Sequence, residues 1–206
     1  LLGSERRFGR GDEYVVAVPT DVTEVEKKAF YDLVYHSEAR ARSVRIVERG
    51  LADALGSGID VIAEKGIFVA NFGGGTAELS VLSEGGMVLN RLLKIGGEDF
   101  DAAIASLGRR NQDFLIGRLT AERLRREFGV FDQSTDTVLT VSGRDLITGV
   151  PSQTTVSISL VRAAMKELLE ECVRAIRSMI DRTPPNVRRG IREKGICLTG
   201  GMANLR

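Results

Sequence analysis

"VANFGGGTAELSVL", residues 69–82, decides how the rest of the sequence is interpreted. An apolar run stops at Asn71, three glycines follow, and Thr76 opens a second apolar run. Consecutive glycines let the backbone approach a ligand closely and present a row of N–H groups to an anion. The pattern predicts a strand, a phosphate-binding turn and a second strand. A strand-end residue that faces a metal-bound phosphate is usually an aspartate, so Asn71 leaves open whether this site hydrolyses a nucleotide, only holds one, or does neither.

Two more glycine pairs strengthen this interpretation. Gly96–Gly97 precede a helical pattern with acidic residues in its first turn, where the helix dipole favours them. Gly200–Gly201 follow the short apolar run "ICLT". A single Gly-Gly is most often an ordinary tight turn, but the triple glycine with its threonine and a following Gly85–Gly86 hairpin signal is more specific.

Composition excludes several classes of protein. The chain has 206 residues, 43% hydrophobic and 28% charged, which is typical of one large or two small globular domains. A net charge of +1 gives no indication of general nucleic-acid binding. Cys172 and Cys197 lack metal or disulfide spacing, which favours a reducing cytoplasm. No apolar run reaches the roughly 18 residues that a spanning helix needs.

Strand and helix patterns alternate at the start of the chain. "EYVVAVP" predicts a strand covered on both faces, and Thr23 with Glu26 has the spacing of a capping box. This alternation indicates a parallel α/β layer. The predicted strands are 13–19, 43–48, 66–72, 77–83, 87–95, 137–143 and 195–201. Five helices are predicted: one at 51–58, one that begins at 96, one from 119 to Gly129, a long one that ends at about 181, and a short one after Pro184.

Four segments together resemble the MreB family of bacterial actin-like proteins: "NFGGGTAELSVL", "KIGGEDFDAAI", "LIGRLTAERLRREFG" and "GICLTGGMANLR". "GGEDFD" is also similar to a turn of heat-shock chaperone ATPases, which share the fold. The resemblance covers nearly the whole chain. It implies a partial actin-like ATPase (ribonuclease H-like) α/β fold, with 1–65 as the second part of domain I and 66–206 as domain II, in which 101–150 form a small inserted subdomain. Because the chain has no initial Met and stops after a glycine turn, we expect a fragment.

The resemblance also implies an ATP or ADP site with Mg²⁺ between the two domains. Glu122 would accept from the ribose hydroxyls, although a solvated charge on a helix face is the alternative for this residue. Arg125 would lie beside the adenosine, a role that the sequence leaves open. The glycine-turn residues would contact the phosphates and the base: Gly73, Gly74, Gly75, Thr76, Gly97, Gly200, Gly201 and Met202.

Two positions depart from the family pattern. Asn71 stands where the family has an aspartate that helps to hold hydrated Mg²⁺, and a neutral amide is a poor substitute there. Arg49 stands where the family has the glutamate that activates the attacking water, and arginine cannot accept a proton. The resemblance therefore implies ATP binding with weak or absent hydrolysis, with no catalytic residue and no protein metal ligand.

The functional expectation follows from the resemblance. It implies filaments of this protein on the cytoplasmic face of the bacterial membrane that organise cell shape, with membrane-bound cell-shape proteins as further partners. We identify no membrane-contacting element in the sequence. A chaperone-like ATPase or a sugar or acetate kinase of the same superfamily is the alternative, which the compact region 101–150 disfavours. A structural scaffold that has lost nucleotide binding also stays open.

Overall fold

The computed structural model describes residues 11–38, 41–128 and 137–203. Within these ranges the chain forms nine strands and six helices in three sheets. The elements, in chain order, are β1 Glu13–Val18, α1 Glu24–Tyr35, β2 Ser43–Glu48, α2 Arg49–Gly56, β3 Ile67–Phe72, β4 Ala77–Ser83, β5 Gly86–Leu93, α3 Gly97–Gln112, β6 Phe114–Ile116, α4 Arg118–Phe128, β7 Val138–Asp145, β8 Pro151–Ser157, α5 Ile158–Arg182, α6 Pro185–Lys194 and β9 Ile196–Thr199.

The first sheet pairs β1 with β2 in parallel, which confirms the predicted α/β layer. The Thr23 hydroxyl accepts from the Glu26 N–H, and the Glu26 carboxylate accepts from the Thr23 N–H, so the predicted capping box is present. The expected burial of β1 on both faces is wrong, because its residues alternate in exposure and Val15 is 67% exposed. The alternation shows that one face of β1 is more buried than the other among the described residues.

The second sheet has the order β5-β4-β3-β9 and carries the glycine loop. β3 and β4 are antiparallel with Asn71 opposite Glu78, while β9 runs parallel to β3. β4 and β5 form the predicted hairpin, but Glu84 and Gly85, not Gly85 and Gly86, occupy the left-handed region, with φ of 50° and 80°.

Alternate residues of β3 and β4 enter two different hydrophobic cores. Phe68 and Leu79 lie in the larger core, which also contains residues of α3, α4 and α5. Val69 and Leu82 point to the opposite face and pack with Ala54 of α2. Burial of one such side chain stabilises the fold by about 1.5–3 kcal/mol, so the two cores hold α2 and α3 firmly on opposite faces of the glycine-loop hairpin.

The third sheet has the order β6-β7-β8, and its two outer strands were not predicted. β8 has the polar sequence "PSQTTVS" and begins with proline, so it lacks the apolar alternation that indicates a strand. Its pairing with β7 extends this sheet to Ser157, beyond the residue 150 expected for the end of the inserted subdomain. The predicted end of α4 at Gly129 lies outside the described residues. No helix in the described part of the chain is long and apolar enough to cross a membrane.

Candidate phosphate-binding site

The glycine loop between β3 and β4 presents backbone donors to open space. The Gly73 N–H donates to the Thr76 carbonyl at 2.9 Å and closes the turn. Gly74 and Gly75 are exposed, and a Cβ on either would meet no atom within 4 Å. Among the described residues, neither of their N–H groups has a backbone acceptor. The loop is therefore open to an anion, and its predicted phosphate contact stays a prediction.

The first turn of α3 braces the loop from one side. The N–H groups of Gly97 and Glu98 donate to the carbonyls of Gly73 and Gly74, at 3.0 and 2.8 Å. A Cβ on Gly96 would lie 2.4 Å from the Gly74 oxygen, so only glycine allows this approach. These helical amides are already engaged, so the helix end positions the loop, and Gly74 and Gly75 keep the N–H groups that lack a backbone acceptor.

The turn after β9 lies against the other side of the loop. The Met202 N–H donates to the Phe72 carbonyl at 3.1 Å. Gly200 has a φ of +87°, and a Cβ there would lie 2.4 Å from the Phe72 oxygen and 2.8 Å from Asn71 Oδ1. Gly201 faces open space. The parallel pairing of β9 with β3 thus brings two of the predicted glycine turns together.

Arg125 lies beside Gly97 and Met202, as a common site requires. A Cβ on Gly97 would lie 3.2 Å from Arg125 Nη2 and 3.4 Å from Met202 Sδ. Arg125 is buried, however, and its guanidinium donates to both carboxylate oxygens of Asp101, at 2.6 and 3.3 Å. Asp101, which the sequence analysis missed, therefore neutralises this arginine inside the protein.

Glu122 occupies the same helix as Arg125 but pairs differently. Its side chain is 32% exposed, and its carboxylate lies 2.8 Å from Arg126 one turn later. An exposed pair of this kind contributes little to stability, which leaves the carboxylate available to another donor. The predicted ribose contact of Glu122 stays a prediction.

Arg49 and Asp53 of α2 line one edge of the site. They lie one turn apart on the same side of this helix, and they contact Glu78 and Asn71, which are opposite each other on β4 and β3. Arg49 Nη1 lies 3.4 Å from Glu78 Oε2, and Asn71 Nδ2 donates to Asp53 Oδ2 at 2.7 Å. We call these four residues the polar cluster.

Glu78 is the most deeply buried member of the polar cluster. It is 2% exposed, and its Oε1 accepts from both the backbone N–H and the hydroxyl of Thr20, at 3.1 and 2.7 Å. Thr20 follows β1, so Glu78 connects the first sheet to the second. Gly50 allows α2 to lie this close, because a Cβ there would be 2.2 Å from Ser80 Oγ.

Sequence analysis missed Asp53, Glu78 and Thr20. The sequence does indicate a role for Glu78, because it is a carboxylate inside the otherwise apolar run of β4, and a buried carboxylate needs a partner. The indication for Asp53 is weaker: it follows Arg49 by four positions and therefore shares its helix face.

The polar cluster offers no general base at position 49. Arg49 cannot take a proton from water, and Glu78 already accepts from Thr20 and faces the Arg49 guanidinium. Among the described residues, no group of three His, Cys, Asp or Glu side chains could hold a metal ion. Mg²⁺ that arrives with phosphates keeps several of its waters, and the Asn71 amide oxygen could accept a hydrogen bond from one of them.

Comparison with solved structures defines the class of protein. MreB5 of Spiroplasma citri bound to AMPPNP superposes with a TM-score of 0.87 at 28% identity, covering 96% of this chain and 59% of that one. A MamK double helical filament superposes with a TM-score of 0.73 at 16% identity, which shows the fold alone. The expected actin-like α/β fold is therefore confirmed.

Sequence comparisons identify the family. The family model "MreB/Mbl protein" matches residues 3–206, and the chain belongs to this family. Cell shape-determining protein MreB of Escherichia coli K12 is 37% identical over 193 residues, and Mbl of Bacillus subtilis 168 is 31% identical over 192 residues. Each match covers 93% of this chain but only 55% and 57% of the relative, so the chain spans little more than half the length of these proteins.

Proposed function

We propose that this chain forms the larger part of a nucleotide-binding cytoskeletal subunit that binds ATP or ADP with Mg²⁺ and hydrolyses it weakly or not at all. The glycine loop carries the proposal, because Gly74 and Gly75 offer exposed, unengaged N–H groups at a turn that α3 and β9 hold from two sides. The solved Spiroplasma relatives bound to AMPPNP and ADP support a nucleotide as the anion.

Self-assembly and a role in cell shape complete the proposal. The curated relatives are named as cell shape-determining proteins, and a structural neighbour is a filament. Identical subunits that join head to tail form open filaments, since such contacts do not close. We propose the cytoplasmic face of the membrane as the location, with membrane-bound cell-shape proteins as partners.

Weak hydrolysis follows from the polar cluster. Arg49 occupies the position expected for the water-activating glutamate, and its charge is directed to Glu78 at 3.4 Å. A guanidinium stays protonated, so the site lacks a general base at that position. Nucleotide would then act as a ligand that stabilises one subunit conformation.

A scaffold that binds no nucleotide is the second candidate. Its specific support is that three members of the polar cluster already have partners within the protein, with Asp53 bonded to Asn71 and Glu78 Oε1 bonded to Thr20, although Glu78 Oε2 is buried without a hydrogen bond. Such a cluster would hold its two sheets together without any ligand.

Isothermal titration of the purified protein with ATP, with and without Mg²⁺, separates these candidates. We compare the wild type with Gly75→Ala, which adds a methyl group in open space beside the loop donors. The substitution should leave the thermal midpoint unchanged. The new methyl group would occupy space that a phosphate at the loop needs and would weaken ATP binding about tenfold or more, because each lost charge-assisted hydrogen bond costs about 1.5–3 kcal/mol.

Gly56→Ala is the matched control. Gly56 lies at the far end of α2, and an alanine there also meets no atom within 4 Å. It should bind ATP as the wild type does. Equal affinity of Gly75→Ala and the wild type would contradict the glycine loop as the phosphate site, and absence of heat on ATP addition, with or without Mg²⁺, would favour the scaffold.

A further inference from the structure

The hydrogen bond between Asn71 and Asp53 determines which way the Asn71 amide points. The carboxylate of Asp53 can only accept, so the amide must present its NH₂ group to it. The opposite orientation would bring the amide oxygen against a carboxylate oxygen at 2.7 Å, the distance that now separates Nδ2 from Oδ2. The chemistry of the partner therefore fixes an orientation that is otherwise ambiguous for an amide.

The oxygen of the same amide faces the glycine turns. A Cβ on Gly200 would lie 2.8 Å from Asn71 Oδ1, and one on Gly73 would lie 3.9 Å from it. Both glycines border the loop that offers free donors at Gly74 and Gly75. Asn71 thus turns an acceptor toward the phosphate side of the site and its donors toward α2.

We propose that Asp53 is a positioning residue that holds Asn71 with its oxygen toward the phosphate loop, so that nucleotide binding stays linked to a divalent cation. The inference rests on the proposed nucleotide function. Mg²⁺ keeps several of its waters in protein sites, and an amide oxygen can accept a hydrogen bond from such a water. A free amide could instead turn its NH₂ group toward the loop, where it would repel a hydrated cation.

The position of Asp53 also retains negative charge near the site. Asn71 itself is neutral, but the Asp53 carboxylate is in direct contact with it. The cation is attracted less strongly than by a carboxylate at position 71, because the charge lies one side chain further from the loop. The linkage between cation and nucleotide should therefore be measurable but modest.

The test is the ratio of ATP dissociation constants in EDTA and in excess Mg²⁺, measured by titration calorimetry. Asp53→Ala frees the amide and should reduce this ratio about three- to tenfold, the range that one lost hydrogen bond gives. Asp53→Asn loses the charge but should keep clearly more of the ratio than Asp53→Ala, because the new amide oxygen still accepts from Asn71 Nδ2. Asp181→Ala, an exposed aspartate on α5, is the matched control and should behave as the wild type.

Two further variants keep the inference testable if Asp53→Ala folds poorly. Asn71→Ala removes the oxygen itself and should lower the ratio as far as Asp53→Ala does. The double variant Asp53→Ala/Asn71→Asp should raise the ratio above the wild type, since a carboxylate then faces the loop directly.

The outcomes separate the two proposals. Nucleotide binding with a ratio that neither Asp53→Ala nor Asn71→Ala changes would overturn the positioning role and leave the proposed function intact. An equal loss in Asp53→Asn and Asp53→Ala would overturn it too, because charge and not orientation would then be responsible. Absence of ATP binding by the wild type in both solutions would overturn both proposals.

Discussion

Arg49 and Glu78 form an ion pair across the contact between α2 and β4, with 3.4 Å between Nη1 and Oε2. Glu78 is almost wholly buried, whereas about a third of the Arg49 side chain is exposed. Thr20 donates to the other carboxylate oxygen of Glu78. In the part of the chain that the structure describes, Arg49 supplies the counter-charge of Glu78, which gives this departure from the family pattern a structural reason.

Removal of either charge should destabilise the fold. Arg49→Met leaves Glu78 buried without its counter-ion, and we expect a loss on the order of 2 kcal/mol in the free energy of unfolding, since partial exposure reduces the cost of a fully buried pair. The double variant Arg49→Met/Glu78→Gln should cost less than the sum of the single variants. Urea denaturation measures all three.

The pair Lys65–Glu84 is the matched control for this cycle. It has the same separation, 3.4 Å, but both side chains are largely exposed. Lys65→Met should change the free energy of unfolding by less than about 0.5 kcal/mol. Strict additivity of Arg49→Met and Glu78→Gln would show that the ion pair has no energetic role.

The contact between α3 and the glycine loop predicts a graded response to alanine. In Gly96→Ala the new Cβ would meet the Gly74 backbone at 2.4 Å, which cannot move without displacing the loop. In Gly97→Ala it would meet side-chain atoms of Arg125 and Met202 at 3.2–3.4 Å, which need to give by only a few tenths of an ångström. We expect about 1–3 kcal/mol of destabilisation for Gly96→Ala and clearly less for Gly97→Ala, by urea denaturation. Equal costs would disprove the close approach of the loop to this helix end.

Local sequence patterns predicted the elements that carry strong apolar or glycine signals. The triple glycine, the hairpin of β4 and β5, and the amphipathic α5 are confirmed because each depends on residues close in the chain. β8 was missed because its strand pairing compensates for a polar sequence. Local signals thus decide the fold where apolar periodicity is strong, and pairing decides it elsewhere.

The polar cluster was not predictable in the same way. Arg49 and Asn71 stood out as departures from a family pattern, but their partners depend on how α2 lies over β3 and β4. This placement depends on the close approach of Gly50 to Ser80 and on the apolar contacts of Ala54. No local sequence pattern encodes either contact. Sequence therefore located the altered positions, while only the tertiary structure shows what compensates for them.

Substitutions at Asp101 and Glu122 should separate effects on stability from effects on ATP binding near Arg125. Asp101→Asn removes the counter-charge of a buried guanidinium, and we expect a loss of about 3 kcal/mol in the free energy of unfolding. Glu122→Gln affects a partly exposed pair and should change stability by less than about 1 kcal/mol, while it weakens ATP binding if this residue contacts the ribose. The reverse pattern, a stable Asp101→Asn and an unstable Glu122→Gln, would exclude this division of roles.

Cys172 gives a prediction about pH. Burial, and secondarily the neighbouring Glu171 carboxylate, raise the pKa of the Cys172 thiol above its ordinary value. The folded state favours the neutral thiol. The contribution of this thiol to stability is therefore complete below its pKa in the unfolded chain, about 8.5, and is lost as the pH rises through its higher pKa in the folded protein. Between about pH 7 and 10 the wild type should lose more stability than Cys172→Ala, as measured by urea denaturation.

Alkylation provides an independent check of the same thiol. The reactive species is the thiolate, and Cys172 is buried while Cys197 is partly exposed. With iodoacetamide at about pH 8, near the ordinary cysteine pKa, the native protein should therefore be modified first at Cys197. Cys172 should react at a comparable rate only in denaturant, as followed by mass spectrometry of the two peptides. Equal modification of both cysteines in the native protein would show that α5 opens readily at this position, and that burial does not protect the thiol.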